Sequence, residues 1–221
     1  MMTMNDARLK RAFLIGLGVV FSTEFLIRDV LLPTSAKEVH IQLAIGLEWL
    51  LFLLLVFYWI PKVEGQPLES IGVGKFKMRY LWSGIGGYLI ALLFSIISGL
   101  ILESVGLDSI RSLQPTIKAY RFPTLLGLFL TGTIVEEVFY RGYLIERLTI
   151  LTQKRWLAAL SSWLLFSLVH LKFFGLGPTI DVSVLSAFLV LVYLKENSIW
   201  PGVVLHGVNG LFAYLVFPLL L

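Results

Sequence analysis

Six residues of this 221-residue chain have types and spacings that can do chemistry: Glu136, Glu137, Arg141, His170, His206 and Asn209. The two adjacent carboxylates sit in TLLGLFLTGTIVEEVFYRGYLIERL, behind a nearly uncharged apolar run. On a helix Glu137 and Arg141 (i, i+4) share a face, and Glu before Arg is the favourable order, so these two can pair. Glu136 is rotated by about 100° from Glu137 and faces elsewhere. One carboxylate is then neutralised, while the other is left without a partner in its own helix. His170 closes the segment FSLVH, and His206 lies in SIWPGVVLHGVNG with Asn209 three residues further on. A carboxylate beside an imidazole in a dry setting can activate water. A second imidazole and an amide can polarise a carbonyl and hold the oxyanion that forms. Two His and one Glu (Glu136, His170, His206) are also a catalytic zinc set, but no HExxH spacing accompanies them, so the spacing itself specifies no cofactor. Each residue also has a plain structural reading: acids at a polar helix end, and a core histidine donating to a backbone carbonyl.

These residues need elements to hold them, and the composition says which. Residues of the AVILMFWYC set make up 57% of the chain and charged residues 14%, against about 45–50% apolar and 25% charged in soluble domains. Mean hydropathy is +0.87. A soluble domain, a disordered chain and a nucleic-acid binder are excluded on that balance. The absence of Cys excludes disulfides, cysteine catalysis, thiolate metal sites and Fe–S clusters. A bilayer-spanning helix needs about 20 mostly apolar residues, and seven segments qualify, near 12–31, 41–60, 81–102, 122–143, 156–175, 179–195 and 199–220. The sixth is short, and a re-entrant helix is its alternative. The predicted fold is an all-α polytopic membrane bundle of about seven transmembrane helices, a single membrane domain over 1–221. The basic start MMTMNDARLKR followed by an apolar run is like a signal peptide, but no small-x-small site closes it, so it reads as a retained first span. Seven alternating spans put twelve of the 18 Lys and Arg on the N-terminal side and six on the other, which predicts a cytosolic N-terminus and an outer C-terminus. The basic, aromatic-containing stretch 62–80 is expected along the cytosolic interface.

Depth ties the candidates together. The turn between the fourth and fifth spans centres near Gln153, and Glu136 and His170 lie equally far before and after it. In an antiparallel hairpin those positions share one level. In the last span, Asn197 or Ser198 can cap the helix, Trp200 suits the interface and Pro201 the first turn. His206 then falls at a depth of roughly 10 Å at 1.5 Å per residue. Three helices thus bring Glu136, His170, His206 and Asn209 toward one level in the cytosolic half. Water, a base and oxyanion donors inside a membrane suggest hydrolysis of a peptide bond in a membrane-associated substrate.

EEVFYRGYL, FSLVH and SIWPGVVLHGVNG, in that order, resemble the signature blocks of the CAAX-protease and bacteriocin-processing (CPBP, Abi) family of intramembrane endopeptidases. PLESIGVGKFK is similar to that family's linker ahead of its core, and the resemblance covers roughly 66–215. It implies that Glu136 activates water with His170 assisting, that His206 contributes to the oxyanion site, and that Glu137 and Arg141 support them. The family's last block usually has Asn four residues after its His. Here that position is Gly210, and the amide is Asn209, one residue earlier. Family members have been described both as metal-free, glutamate-dependent enzymes and as zinc enzymes; the metal-free reading is adopted, with zinc as the alternative. The implied partners are membrane lipids and a peptide or protein substrate, a prenylated CAAX tail being the eponymous case, and no nucleic acid. The short chain suggests a prokaryotic plasma membrane.

Two other readings stand beside this one. A non-catalytic membrane scaffold or immunity factor of the same fold would account for Gly210. A small proton or solute transporter would use Glu24 and Glu48, which share a depth across the first hairpin with Arg28 between them; a purely structural polar cluster is the simpler account of those three.

Overall fold

The computed structural model describes residues 4–31 and 37–220. Seven long helices follow in chain order: α1 (Met4–Leu31), α2 (Glu38–Glu64), α3 (Met78–Ser104), α4 (Phe122–Thr152), α5 (Arg155–Phe174), α6 (Leu176–Glu196) and α7 (Trp200–Leu219). No strand occurs among the described residues. Helices α2 to α7 are long and apolar enough to cross a membrane. The expected first span forms α1, which falls outside that set; its 28 residues include Lys10, Arg11, Glu24 and Arg28. The centre of the first hairpin, expected near position 36, lies outside the described residues.

The breaks between helices have local causes. Gln153 adopts the left-handed region (φ 57°) and ends α4 at the predicted turn. Gly175 (φ 81°) ends α5. In the Gly175–Gly177–Pro178 stretch only Gly175 breaks the helices. Pro178 sits in the first turn of α6, where the missing N–H costs nothing. That adds a turn to the short sixth segment, giving 21 residues. Asn197, expected to cap α7, instead closes α6 in the left-handed region (φ 50°). The N-cap of α7 is Ile199, which has no side-chain cap bond, and the neighbouring Ser198 hydroxyl accepts from the Trp200 N–H at 3.4 Å.

Helix α4 is the centre of the bundle, touching α1, α2, α5, α6 and α7. Every residue from Val135 to Leu144 is buried. Helix α3 packs on α6 and α7 and turns Leu89, Ile90, Leu93, Phe94, Ile97, Leu100 and Ile101 outward. Those positions recur every three to four residues, one helical face, and an exposed apolar stripe of that length belongs against lipid. The polarity of a soluble protein is inverted: apolar faces lie outside, while Glu24, Glu48, Glu64, Glu136, Glu137, Arg141 and Arg147 are buried.

Between Thr131 and Leu144 α4 widens into π-helix, whose i→i+5 bonding recurs at functional sites. Within this stretch the Tyr140 carbonyl accepts from the Ser162 hydroxyl of α5 at 2.8 Å. Trp49 of α2 donates to the Thr131 hydroxyl at 3.0 Å where the widening begins. At its far end Glu64 accepts from the Tyr143 hydroxyl (2.6 Å) and Arg147 Nε (2.9 Å). Arg147 also donates to Ser70 Oγ at 2.8 Å and lies over the Phe13 ring of α1. The 66–77 linker is pinned in turn to the start of α7, through the Ile199 N–H to the Gly72 carbonyl and the Trp200 indole to the Gly74 carbonyl.

Candidate active site

The sequence separates Glu137 from Glu136 by its pairing with Arg141, and the structure does the same. Glu137 Oε1 accepts from Arg141 Nη1 at 3.0 Å, with both side chains fully buried. Arg141 also donates to the Ser186 hydroxyl of α6 at 3.0 Å and lies 4.2 Å above the centre of the Phe166 ring. The guanidinium is therefore wedged between α4, α5 and α6. A buried charge pair of this kind is costly to break from one side, so it acts as a fixed strut.

The strut carries His206. Its Nδ1 lies 3.0 Å from the same Glu137 oxygen, so an ionised Glu137 makes Nδ1–H the donor. That contact orients the ring, as carboxylates do behind catalytic imidazoles. The opposite nitrogen, Nε2, faces Glu136 Oε2 at 4.0 Å. The gap is too long for a direct hydrogen bond but fits one water, which would bond both atoms at about 2.8 Å with an angle near 90°. Gly132, one turn before Glu136, keeps this space open: a Cβ there would stand 3.3 Å from His206 Nε2 and 3.8 Å from Glu136 Oε2. Gly202 does the same behind the strut, where a Cβ would collide with Glu137 Oε2.

His170 approaches from α5. Its Nδ1 lies 2.6 Å from the Phe166 carbonyl, and because a carbonyl only accepts, Nδ1 carries the proton and Nε2 is left free to accept. His170 and His206 flank the same ring, Phe166, at centroid distances of 4.8 and 6.1 Å, and both histidines lie within electrostatic reach of Glu136. Glu136, His170 and His206 remain 7%, 7% and 9% exposed, whereas Glu137 and Arg141 are sealed. The three outer groups therefore keep a small accessible area, and the supporting pair has none.

Asn209 does not join them. It is half-buried on α7, and no hydrogen bond links it to Glu136, His170 or His206 among the described residues. Gly210 is packed against α4 and α7 themselves, where a Cβ would stand 3.2 Å from Phe129 and 3.8 Å from Tyr214.

A residue absent from the sequence-derived set completes the site. Arg28 of α1 reaches Glu136 Oε1 with Nη2 at 2.7 Å. The same guanidinium receives Glu24 on Nε at 2.8 Å and Glu48 on Nη2 at 3.4 Å. The expected Glu24–Arg28–Glu48 cluster therefore exists, and it continues into Glu136. The sequence signal was a carboxylate left without a partner in its own helix and a lone arginine in an apolar segment; no spacing rule connects residues 108 positions apart.

The donors do not fit a zinc ion as they stand. Among the described residues no three His, Asp or Glu side chains group as metal ligands, and the Arg28 guanidinium places a cation on Glu136, where a ligated dication would be repelled.

Residues 118–212 match the family model of the type II CAAX prenyl endopeptidase Rce1-like proteins. This segment is similar to that family. It contains α4 to the middle of α7 and so takes in Glu136, Glu137, Arg141, His170 and His206, but neither α1 nor α2. No curated protein and no solved structure matches the chain. The protein is an integral membrane protein, and its residues 118–212 are similar to a family of peptidases.

Proposed function

We propose that the protein is an intramembrane endopeptidase that hydrolyses a peptide bond in a membrane-associated, prenylated substrate. The observation that carries this reading is the water-sized gap between Glu136 Oε2 and His206 Nε2, with Glu137 and Arg141 fixed behind it. In the reaction, Glu136 takes a proton from water, and the water oxygen bonds to the scissile carbonyl carbon. The electron pair of the C=O bond moves to oxygen, and the resulting oxyanion is held by the Nε2–H of a doubly protonated His206, whose Nδ1–H donates to Glu137. Collapse restores the C=O bond and breaks the C–N bond. The proton held by Glu136, passed with the help of His170 Nε2, goes to the leaving amine. The products are a new C-terminal carboxylate and a new N-terminal amine. The bundle excludes bulk water, which strengthens each of these contacts. Asn209, three residues after His206 on α7, is the remaining oxyanion candidate.

The test is cleavage of a farnesylated CAAX peptide and of its unprenylated twin by the purified chain in lipid nanodiscs, with the cut bond mapped by mass spectrometry. Release of the three residues after the prenylated Cys supports the reading. Equal cutting of both peptides would move the substrate class to membrane peptides in general. A non-catalytic scaffold of the same fold is the second reading, favoured by Gly210 against Phe129; it predicts no cut of either peptide and a biological effect that survives Glu136→Gln.

A further inference from the structure

We propose that Arg28, on a helix outside the Rce1-like segment, is a positioning residue that sets the orientation of the Glu136 carboxylate. The inference rests on the endopeptidase reading above. A glutamate carboxylate turns about its last torsion in a broad, two-fold well, so a base that must present one chosen oxygen needs the other one held. Here the two oxygens of Glu136 have different neighbours. Oε1 receives Arg28 Nη2 at 2.7 Å, and Oε2 faces His206 Nε2 at 4.0 Å. Arg28 is itself fixed before it reaches Glu136: Glu24, one turn back on α1, accepts from Nε at 2.8 Å, and Glu48 of α2 stands 3.4 Å from Nη2. A planar guanidinium held on its Nε edge has little freedom to swing, and Glu24 and Glu48 are almost completely buried. One cation thus ties three carboxylates from three helices, and the third is the proposed base. The α1–α2 hairpin acquires a role in the reaction without touching substrate: it fixes which oxygen of Glu136 faces the water.

The test compares kcat and KM on the farnesylated peptide for the full chain and its Arg28→Gln, Arg28→Lys, Glu24→Gln and Glu136→Gln variants in nanodiscs, each checked for wild-type helicity by circular dichroism. Misplacing a catalytic group by an ångström costs up to about a hundredfold. Arg28→Gln is therefore expected to lose roughly tenfold or more in kcat with KM within about twofold. Arg28→Lys, which keeps the charge without the fork, should recover part of that loss. Glu24→Gln, which keeps both members of the Arg28–Glu136 pair, should fall between. A purely structural Arg28 would lower the unfolding temperature and leave kcat of the folded protein unchanged, and that result would overturn the proposal. A faster Arg28→Gln would overturn it too, by showing that Arg28 restrains the base. If Arg28→Gln fails to fold, wild-type kcat in both Arg28→Lys and Glu24→Gln overturns it. Wild-type kcat in Glu136→Gln would instead remove the endopeptidase reading itself, whereas an inactive Glu136→Gln beside fully active Arg28 variants would refute this proposal alone.

Discussion

Glu136 and Glu137 are neighbours in sequence with opposite duties, and their surroundings assign them. Glu137 is fully buried, bonded to Arg141 and His206 through one oxygen, and has no route to solvent. Glu136 keeps a small exposed area and faces a gap that one water fills. Gly132 bounds that gap, which leads to a prediction that separates chemistry from folding. Gly132→Ala improves helix propensity by about 1 kcal/mol but places a methyl 3.3 Å from His206 Nε2. Unfolding in detergent should be unchanged or slightly later, while peptide cleavage falls by roughly tenfold as the water site is crowded; undiminished cleavage would show that the water lies elsewhere. At this scale the sequence was informative where residues lie within one helical turn. The Glu137–Arg141 pair followed from i, i+4 geometry alone. The contact of Arg28 with Glu136 was beyond reach, because only the packed bundle places α1 against α4.

The elements explain how the residues converge. The turn lies at Gln153, where the break between the fourth and fifth apolar runs puts it, so the hairpin of α4 and α5 was legible in the sequence. The π-helical stretch of α4 was not. Its residues read as an ordinary apolar helix, and the widened turn depends on partners such as Ser162, 22 residues from the carbonyl it satisfies. Helix α7 approaches α4 closely at Gly202, where a Cβ would strike Glu137 Oε2. Gly202→Ala should therefore push α7 away from the strut, destabilise the fold by about 1–3 kcal/mol and impair cleavage with it. Thermal unfolding and peptide cleavage measured on the same preparation check this. Full stability would mean that α7 has more freedom than the geometry gives it.

At the scale of the molecule, the inside-out polarity fixes the setting. The outward stripe of α3 and the buried charges around α4 are arranged for lipid outside and ions inside. The buried Glu64–Arg147–Tyr143 network ties the end of α2, the linker and α4 into one unit. Composition was enough to read this architecture, since the count of apolar runs follows from bilayer thickness; it gave no helix-to-helix contacts. The positive-residue bias further predicts that the end of the bundle carrying Lys154 faces the cytosol and the end carrying Asp108 faces outward. The chain has no native cysteine, so single Lys154→Cys and Asp108→Cys variants can be labelled in intact cells with a membrane-impermeant maleimide. Labelling of the Asp108 position alone is expected, and labelling of Lys154 alone would invert the topology.

The most direct test of the account is the turnover of the Glu136→Gln protein on the farnesylated peptide, measured beside wild type in the same nanodiscs. The substitution keeps the size of the side chain and an oxygen for Arg28, and removes the carboxylate that would take the proton from water. The account predicts that release of the C-terminal fragment falls by at least about a hundredfold, with the helical content of wild type retained. Cleavage at the wild-type rate by a folded Glu136→Gln protein would contradict it.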